Sequence, residues 1–387
     1  PSAVFKLHSS RRRIHVDLAR VKAPSGEVKL IGNLLRGPAD ASFDLELTDL
    51  SFSGQNALLA LKKPGHIHFT RIGDVSLKDI SLGGPNGDIR LKGSLAGQKK
   101  ADLDLSISDF NSHGWFETFV TDQIGFSGLN ARIHLSGALN APSVTVIGDL
   151  AKLDSLENRL SLSGRFDLSY TNNGVIIRQF HWQGEPGQQI AVTGTLPVNF
   201  LEKPLLRSGP LSVDAQISIP DLAAFSYFLP EYLPLDGDLT GRFQMAGTWK
   251  APSGFFNFRS RGLNDPPHLK SMPPGPIDID GNIQLVGKKL VVESIQINSP
   301  RLTFSSRGEW TGMPDLIDLL QGDTVKPAGN VALKGKLSVE DLSWLAEENP
   351  SLRRASGRLE VDVTMKGPIS DPAIDAVVRL TLSLIHI

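Results

Sequence analysis

Apolar and polar residues alternate one for one through many short stretches of this chain: ADLDLSISD (101–109), ARIHLSG (131–137), GRFQMAG (241–247), GRLEVDVTM (357–365) and DIRLKGSL (88–95). A strand points successive side chains to opposite faces, so each stretch predicts a half-buried β-strand. Parallel strands covered by helices read as unbroken apolar runs instead, so an antiparallel or solenoid sheet with one wet face is expected. The 37 Gly and 25 Pro punctuate these stretches as turns. At one strand per ten to twelve residues the chain holds roughly 30 strands, and an open sheet that long must coil or curl into a groove.

The pattern repeats. LELTDL, LSISDF, ISIPDL and LSVEDL place Asp49, Asp109, Asp221 and Asp341 at the end of a strand. After the last three comes a short amphipathic stretch (NSHGWFETFVTD, AAFSYFLPEYLP, SWLAEENPSLRR), read as a short helix that the Asp caps by accepting from free backbone N–H groups. A strand then carries Gly137 and Pro142, Gly247 and Pro252, or Gly367 and Pro372, a pair that ends or turns it. From Asp to Pro the spacing is 33, 31 and 31 residues. A strand pair precedes each Asp segment and closes at Gly32, Gly93, Gly194 or Gly308. The implied units are 1–50 (abbreviated, without the Gly and Pro step), 51–142, 143–252 and 253–381.

Parity assigns a continuous apolar trough. Leu105 and Ile107, Ile133 and Leu135, Ile217 and Ile219, Phe243 and Met245, Leu337 and Val339, and Leu359, Val361 and Val363 point one way within their strands. Arg132, His134, Arg242, Gln244, Arg358, Glu360 and Asp362 point the other way.

Composition narrows the function more than it defines it. Forty Lys and Arg against 41 Asp and Glu leave a net charge of -1, which gives no footprint for nucleic acid or an anionic membrane surface. With no cysteine there is no disulfide scaffold, thiolate zinc site or Cys nucleophile, which suits an oxidising compartment such as the periplasm. No run of 18 apolar residues and no signal pattern occurs. Beginning at Pro1, the sequence reads as an internal fragment, and LSLIHI (382–387) resembles the translation of a transposon end used in sequencing libraries and is assigned no role.

Candidate chemistry resolves into strand faces. His66 and His68 share a face, but no third metal ligand follows at a usable spacing. DIDGN (278–282) has its Gly misplaced for a calcium loop, and GNVALKGKLS (329–338) has Leu337 where a phosphate loop needs Ser or Thr. There is no G-x-S-x-G elbow, and Asp102 and Asp104 alternate with Leu as a polar strand face does. Arg11 to Arg13 are read as a hairpin loop, and the aromatic stretch FSYFLPEY (225–232) as packing. No enzyme, metal or cofactor is expected.

ISIPDLAAFSYFLPEYLPLDGDLTGRFQMAGTWKAP, echoed by LSVEDLSWLAEENPSLRRASGRLEVDVTMKGPISDP, resembles the periplasmic repeats of the TamB branch of the AsmA-like family, and the resemblance runs to about residue 381. It implies a Gram-negative envelope protein held in the inner membrane by an N-terminal helix lying outside this sequence. Its body would be a taco-shaped β-sheet whose groove shields phospholipid acyl chains between the membranes. It further implies a role in outer-membrane protein assembly with an Omp85-type barrel partner engaged through a C-terminal region, also outside this sequence. The alternative is a structural or adhesive β-repeat whose apolar face is a closed core. A β-helix enzyme is disfavoured, because no short rung period and no carboxylate cluster are present.

Overall fold

The computed structural model describes the chain except for residues 1, 11–12, 24–25, 38–41, 55–57, 72, 98, 113–123, 156–160, 186, 202–204, 229–235, 265–275, 317–327, 343–355 and 384–387. The described residues are all-β, with 23 strands in antiparallel pairings. Contacts divide the chain into two compact units, Pro1–Glu185 and Pro186–Ile387. The repeat boundaries at 50, 142 and 252 fall inside or at the start of strands and do not coincide with this division.

The first unit contains β1 (Ser2–Ser10), β2 (Arg13–Ala23), β3 (Gly26–Arg36), β4 (Ser42–Ser53), β5 (Leu58–Leu61), β6 (Gly65–Thr70) and β7 (Val75–Gly84). It continues with β8 (Gly87–Ala96), β9 (Lys100–Phe110), β10 (Ile124–Ala138), β11 (Ala141–Ser155), β12 (Ser161–Thr171) and β13 (Gly174–Gly184). The second contains β14 (Gln188–Leu196), β15 (Leu211–Ile219), β16 (Asp238–Gly247), β17 (Pro252–Leu263) and β18 (Ile277–Val286). It ends with β19 (Lys289–Asn298), β20 (Leu302–Thr311), β21 (Asn330–Val339), β22 (Ser356–Pro368) and β23 (Ala373–Ser383). The described residues hold 23 strands against the roughly 30 expected at one per ten to twelve residues, and several are long: β10 and β11 run 15 residues each.

Directly opposed residues in an antiparallel pair share a face, so the registers test the parity reading. In the first unit Leu91 lies opposite Leu105, Leu105 opposite Ile133, Ile133 opposite Val146, and Val146 opposite Leu168. In the second, Ala215 lies opposite Phe243, Phe243 opposite Phe256, and Phe256 opposite Ile283. Each unit thus has an apolar face running across neighbouring strands, from β8 to β12 in the first and from β15 to β18 in the second. At four glycines on this face a neighbouring ring lies over the gap: Phe166 at Gly148, Trp182 at Gly164, Phe258 at Gly281 and Phe304 at Gly335. The ring restores the apolar contact that the missing side chain leaves out.

The three Gly and Pro steps are hairpin corners that lead straight into the next strand. Gly137 pairs with Pro142 and Gly247 with Pro252, and Pro252 is the first residue of β17, where a strand tolerates a missing N–H. Gly367 and Pro372 flank the β22–β23 turn, just outside the Lys366–Ala373 pair.

The four Asp markers differ among themselves. Asp221 caps the 3-10 helix Leu222–Phe228, its Oδ1 accepting from the Ala223 N–H at 2.9 Å. Asp49 does not end a strand: β4 continues past it to Ser53, and its carboxylate takes the Lys29 ammonium at 2.6 Å. Asp109 has φ 47° and its N–H donates to Asn130 Oδ1 at 3.0 Å, beside a register shift between β9 and β10. Asp341 follows β21, and the helices expected after Asp109 and Asp341 fall on 113–123 and 343–355, outside the described residues.

Gly32, Gly93, Gly194 and Gly308 are interior to their strands rather than at their ends. A Cβ on any of them would press on a carbonyl of the following strand, that of Glu46, Asp102, Ser212 or Ala332 respectively. Three of the four also lie opposite a bulge. Gly32 faces Val16, Gly93 faces Leu77 and Gly308 faces Val292, and after each the ladder skips a residue. The skipped pairs, Asp17 with Leu18, Lys78 with Asp79 and Glu293 with Ser294, break the one-for-one alternation, and Arg178 is the extra residue of a fourth such strand, β13. An extra residue in one strand bends it and increases the local twist.

Candidate functional site

All thirteen residues assigned to the trough lie on the apolar faces. Leu105, Ile107, Ile133 and Leu135 share that of the first unit, with Leu103 opposite Leu135 and Ala131 opposite Ile107. Phe243, Met245, Ile217 and Ile219 share that of the second with Leu337, Val339, Leu359, Val361 and Val363. Leu337 pairs with Val361 and Val339 with Leu359.

Burial separates these residues into two groups. Ile219 and Val339, 7% and 3% exposed, are core residues at strand ends and not part of an open lining, which corrects their assignment. At the same strand ends the buried set includes Leu222 and Ala223 to Phe225 of the 3-10 helix, Leu263, Ile277 and Leu342. The opposite strand ends are closed by Leu211, Met313, Val331, and Trp249, whose indole N–H donates to the Pro197 carbonyl at 3.1 Å. Val198 and Leu206 bridge the loop beneath. The remaining eleven lining residues of the two units are half-buried, and Phe256 beside Phe243 is 37% exposed. Phe243, Phe256 and Phe258 form an aromatic group there, with centroids 6.4 Å and 4.9 Å apart.

The apolar rows of the second unit contain no charged side chain: every residue opposed to Phe243, Phe256, Ile283, Val292, Leu333 or Met365 in register is apolar or Gly. The charges sit on the other face, where Arg132, His134, Arg242, Gln244, Glu360 and Asp362 were expected, and pair across strands. His134 Nδ1 lies 3.0 Å from Asp104, Arg178 donates to Asp167 at 2.9 Å and Arg379 to Asp362 at 2.7 Å, while Arg358 meets Glu360 at 3.0 Å along its own strand. His68 joins this ladder by Asp44, 2.7 Å away. Each bulge also presents a polar group there: Asp17 takes His15 at 3.3 Å, Asp79 pairs with Lys63 and Arg90, and Glu293 accepts from Asn282 and Gln284. No group of three metal-binding side chains occurs among the described residues.

Asp214 shows what such a ladder does to titration. The Gln244 amide, donating to Oδ2 at 2.5 Å, and the Arg242 guanidinium at 3.2 Å hold its carboxyl below the ordinary 3.8. A carboxyl depressed by folding stabilises the native state above the unfolded value, and that contribution is lost as pH falls through the folded one. The stability gap between the native chain and Asp214→Asn is therefore expected to be constant from neutral pH down to about pH 4 and to close below it. Urea midpoints measured across that range check this, and a gap that widens on acidification would contradict it.

Set against known proteins, the chain matches no family model, no curated protein and no solved structure.

Proposed function

We propose that the apolar face of each sheet is a lipid-facing trough, and that the chain shields phospholipid acyl chains as they move between the two membranes of a Gram-negative envelope. The observation that carries this reading is the combination, in the second unit, of margins that are buried with a midline that is half-exposed and uncharged. A closed core would bury its midline first. Each methylene transferred from water onto such a surface gains about 0.8 kcal/mol, so a chain of ordinary acyl length is held without any specific polar contact. An uncharged, uniform lining holds a lipid equally well at each step, which suits passive conduction with direction set elsewhere. No catalytic role is proposed. The periplasmic location, the inner-membrane attachment and the role with an Omp85-type barrel in outer-membrane assembly rest on the AsmA-like resemblance alone.

Native mass spectrometry of the purified chain tests the reading. Co-purifying phospholipid, released by detergent, is the expected result. A lipid-free particle that also fails to take up phospholipid from vesicles favours the adhesive or structural β-repeat.

A further inference from the structure

The polar face of the second unit is not flat. Between β14 and β19 it forms a cleft of about 570 Å³ lined by Gln216, Arg242, Asn257, Arg259, Asp280 and Asn282, within the size range of small-molecule sites. A twisted sheet is saddle-shaped, so a hollow on this face is compatible with a trough on the other.

The chemistry of the lining is selective. Three guanidiniums meet three carboxylates: Arg242 meets Asp214 at 3.2 Å, Arg259 meets Asp280 at 3.0 Å, and Arg261 grips Asp280 with two hydrogen bonds of 2.8 and 2.9 Å and lies 3.8 Å from Asp278. With its positive charge compensated, the cleft has no free cation to offer a phosphate. The amides differ. Gln216 and Asn257 stand directly on either side of Arg242 in register, and neither side chain has a hydrogen-bond partner among the described residues. Each amide presents a donor and an acceptor side by side, which matches the paired hydroxyls of a polyol. In the next row Phe255 stands between Gln244 and Gln284, with Val291 beyond Gln284. An aromatic ring among amides offers an apolar platform for the C–H face of a sugar ring.

We infer that this cleft binds a neutral oligosaccharide, on the face opposite the proposed trough and independently of it. Saturation-transfer NMR on the full chain with cellotetraose, maltotetraose and N-acetylchitotetraose, in turn, tests the inference. At least one is expected to bind with a dissociation constant of about 1 mM or tighter. The Gln216→Ala/Asn257→Ala double variant is expected to weaken it at least tenfold, and Asn257→Asp, which keeps the size of the side chain, to weaken it too. Both positions are on a polar strand face, so circular dichroism should match the native chain and phospholipid co-purification should be unchanged. No signal from any of the three sugars overturns the inference. So does binding that survives both variants, or binding that inorganic phosphate abolishes by competition.

Discussion

Val363→Glu is expected to strip co-purifying phospholipid from the chain at least tenfold, whereas Thr364→Glu, one residue along, leaves it unchanged. The two positions differ in face and in little else. Val363 lies opposite Gly335 and Ala376 on the uncharged face, and Thr364 lies opposite Lys334 and Asp375 on the charged one. A carboxylate brought against hydrocarbon without a partner costs several kcal/mol, while tenfold in affinity is only about 1.4 kcal/mol. Phe243→Glu should behave like Val363→Glu, since Phe243 faces Ala215 and Phe256. Quantitative lipid extraction from each purified variant decides the matter. Equal lipid in the 363 and 364 variants would remove the trough as the binding surface.

The second large effect is on stability. Gly93→Ala and Gly308→Ala are each expected to destabilise by about 1–3 kcal/mol, the usual cost of a residue forced into a sparsely populated backbone region. These glycines have φ of 136° and 159°, and the added methyl meets the carbonyl of Asp102 or Ala332, backbone that moves only if a whole strand moves. Gly287→Ala is the comparison: its φ is 59°, yet nothing lies within 4 Å of the added atom, so it carries the torsional strain of about 1–2 kcal/mol without the clash. Urea unfolding of the three variants should rank Gly287→Ala as the mildest. If Gly93→Ala proved milder than Gly287→Ala, the carbonyl contact would not matter.

Much of the sheet could be read from alternation alone. Within β10, Ile133 and Leu135 fall on one face and Arg132 and His134 on the other, because a strand has no freedom to do otherwise. What escaped was whatever depends on counting across an insertion. At Val16 to Ala19, Leu77 to Ile80 and Val292 to Ile295 two residues intervene between apolar positions, and the alternation looks merely imperfect. The extra residue between apolar positions, an acidic one in each case (Asp17, Asp79, Glu293), followed on the next strand by a glycine, was the signal, and it makes Gly32, Gly93 and Gly308 bulge partners instead of strand ends. Ile219 and Val339 had the correct parity but end their strands, where they are buried along with Leu222 and Leu342. The polar cleft left no trace in the sequence: Gln216 and Asn257 look like any solvated strand residue, and only the curvature and register of β15 to β17 bring them beside Arg242.

Within each unit nearly every strand is bonded to the strands just before and after it in the chain, from β1 with β2 through β12 with β13, and from β14 with β15 through β22 with β23. Such a sheet has unusually local contacts for an all-β protein, so its folding can proceed by adding hairpins to a growing edge, with loop closures that stay short. The same order governs its response to force. Tension applied across a unit, perpendicular to its strands, is carried equally by every ladder because they lie in series, so the weakest ladder opens first. A unit would then lengthen one ladder at a time, keeping the remaining surface intact.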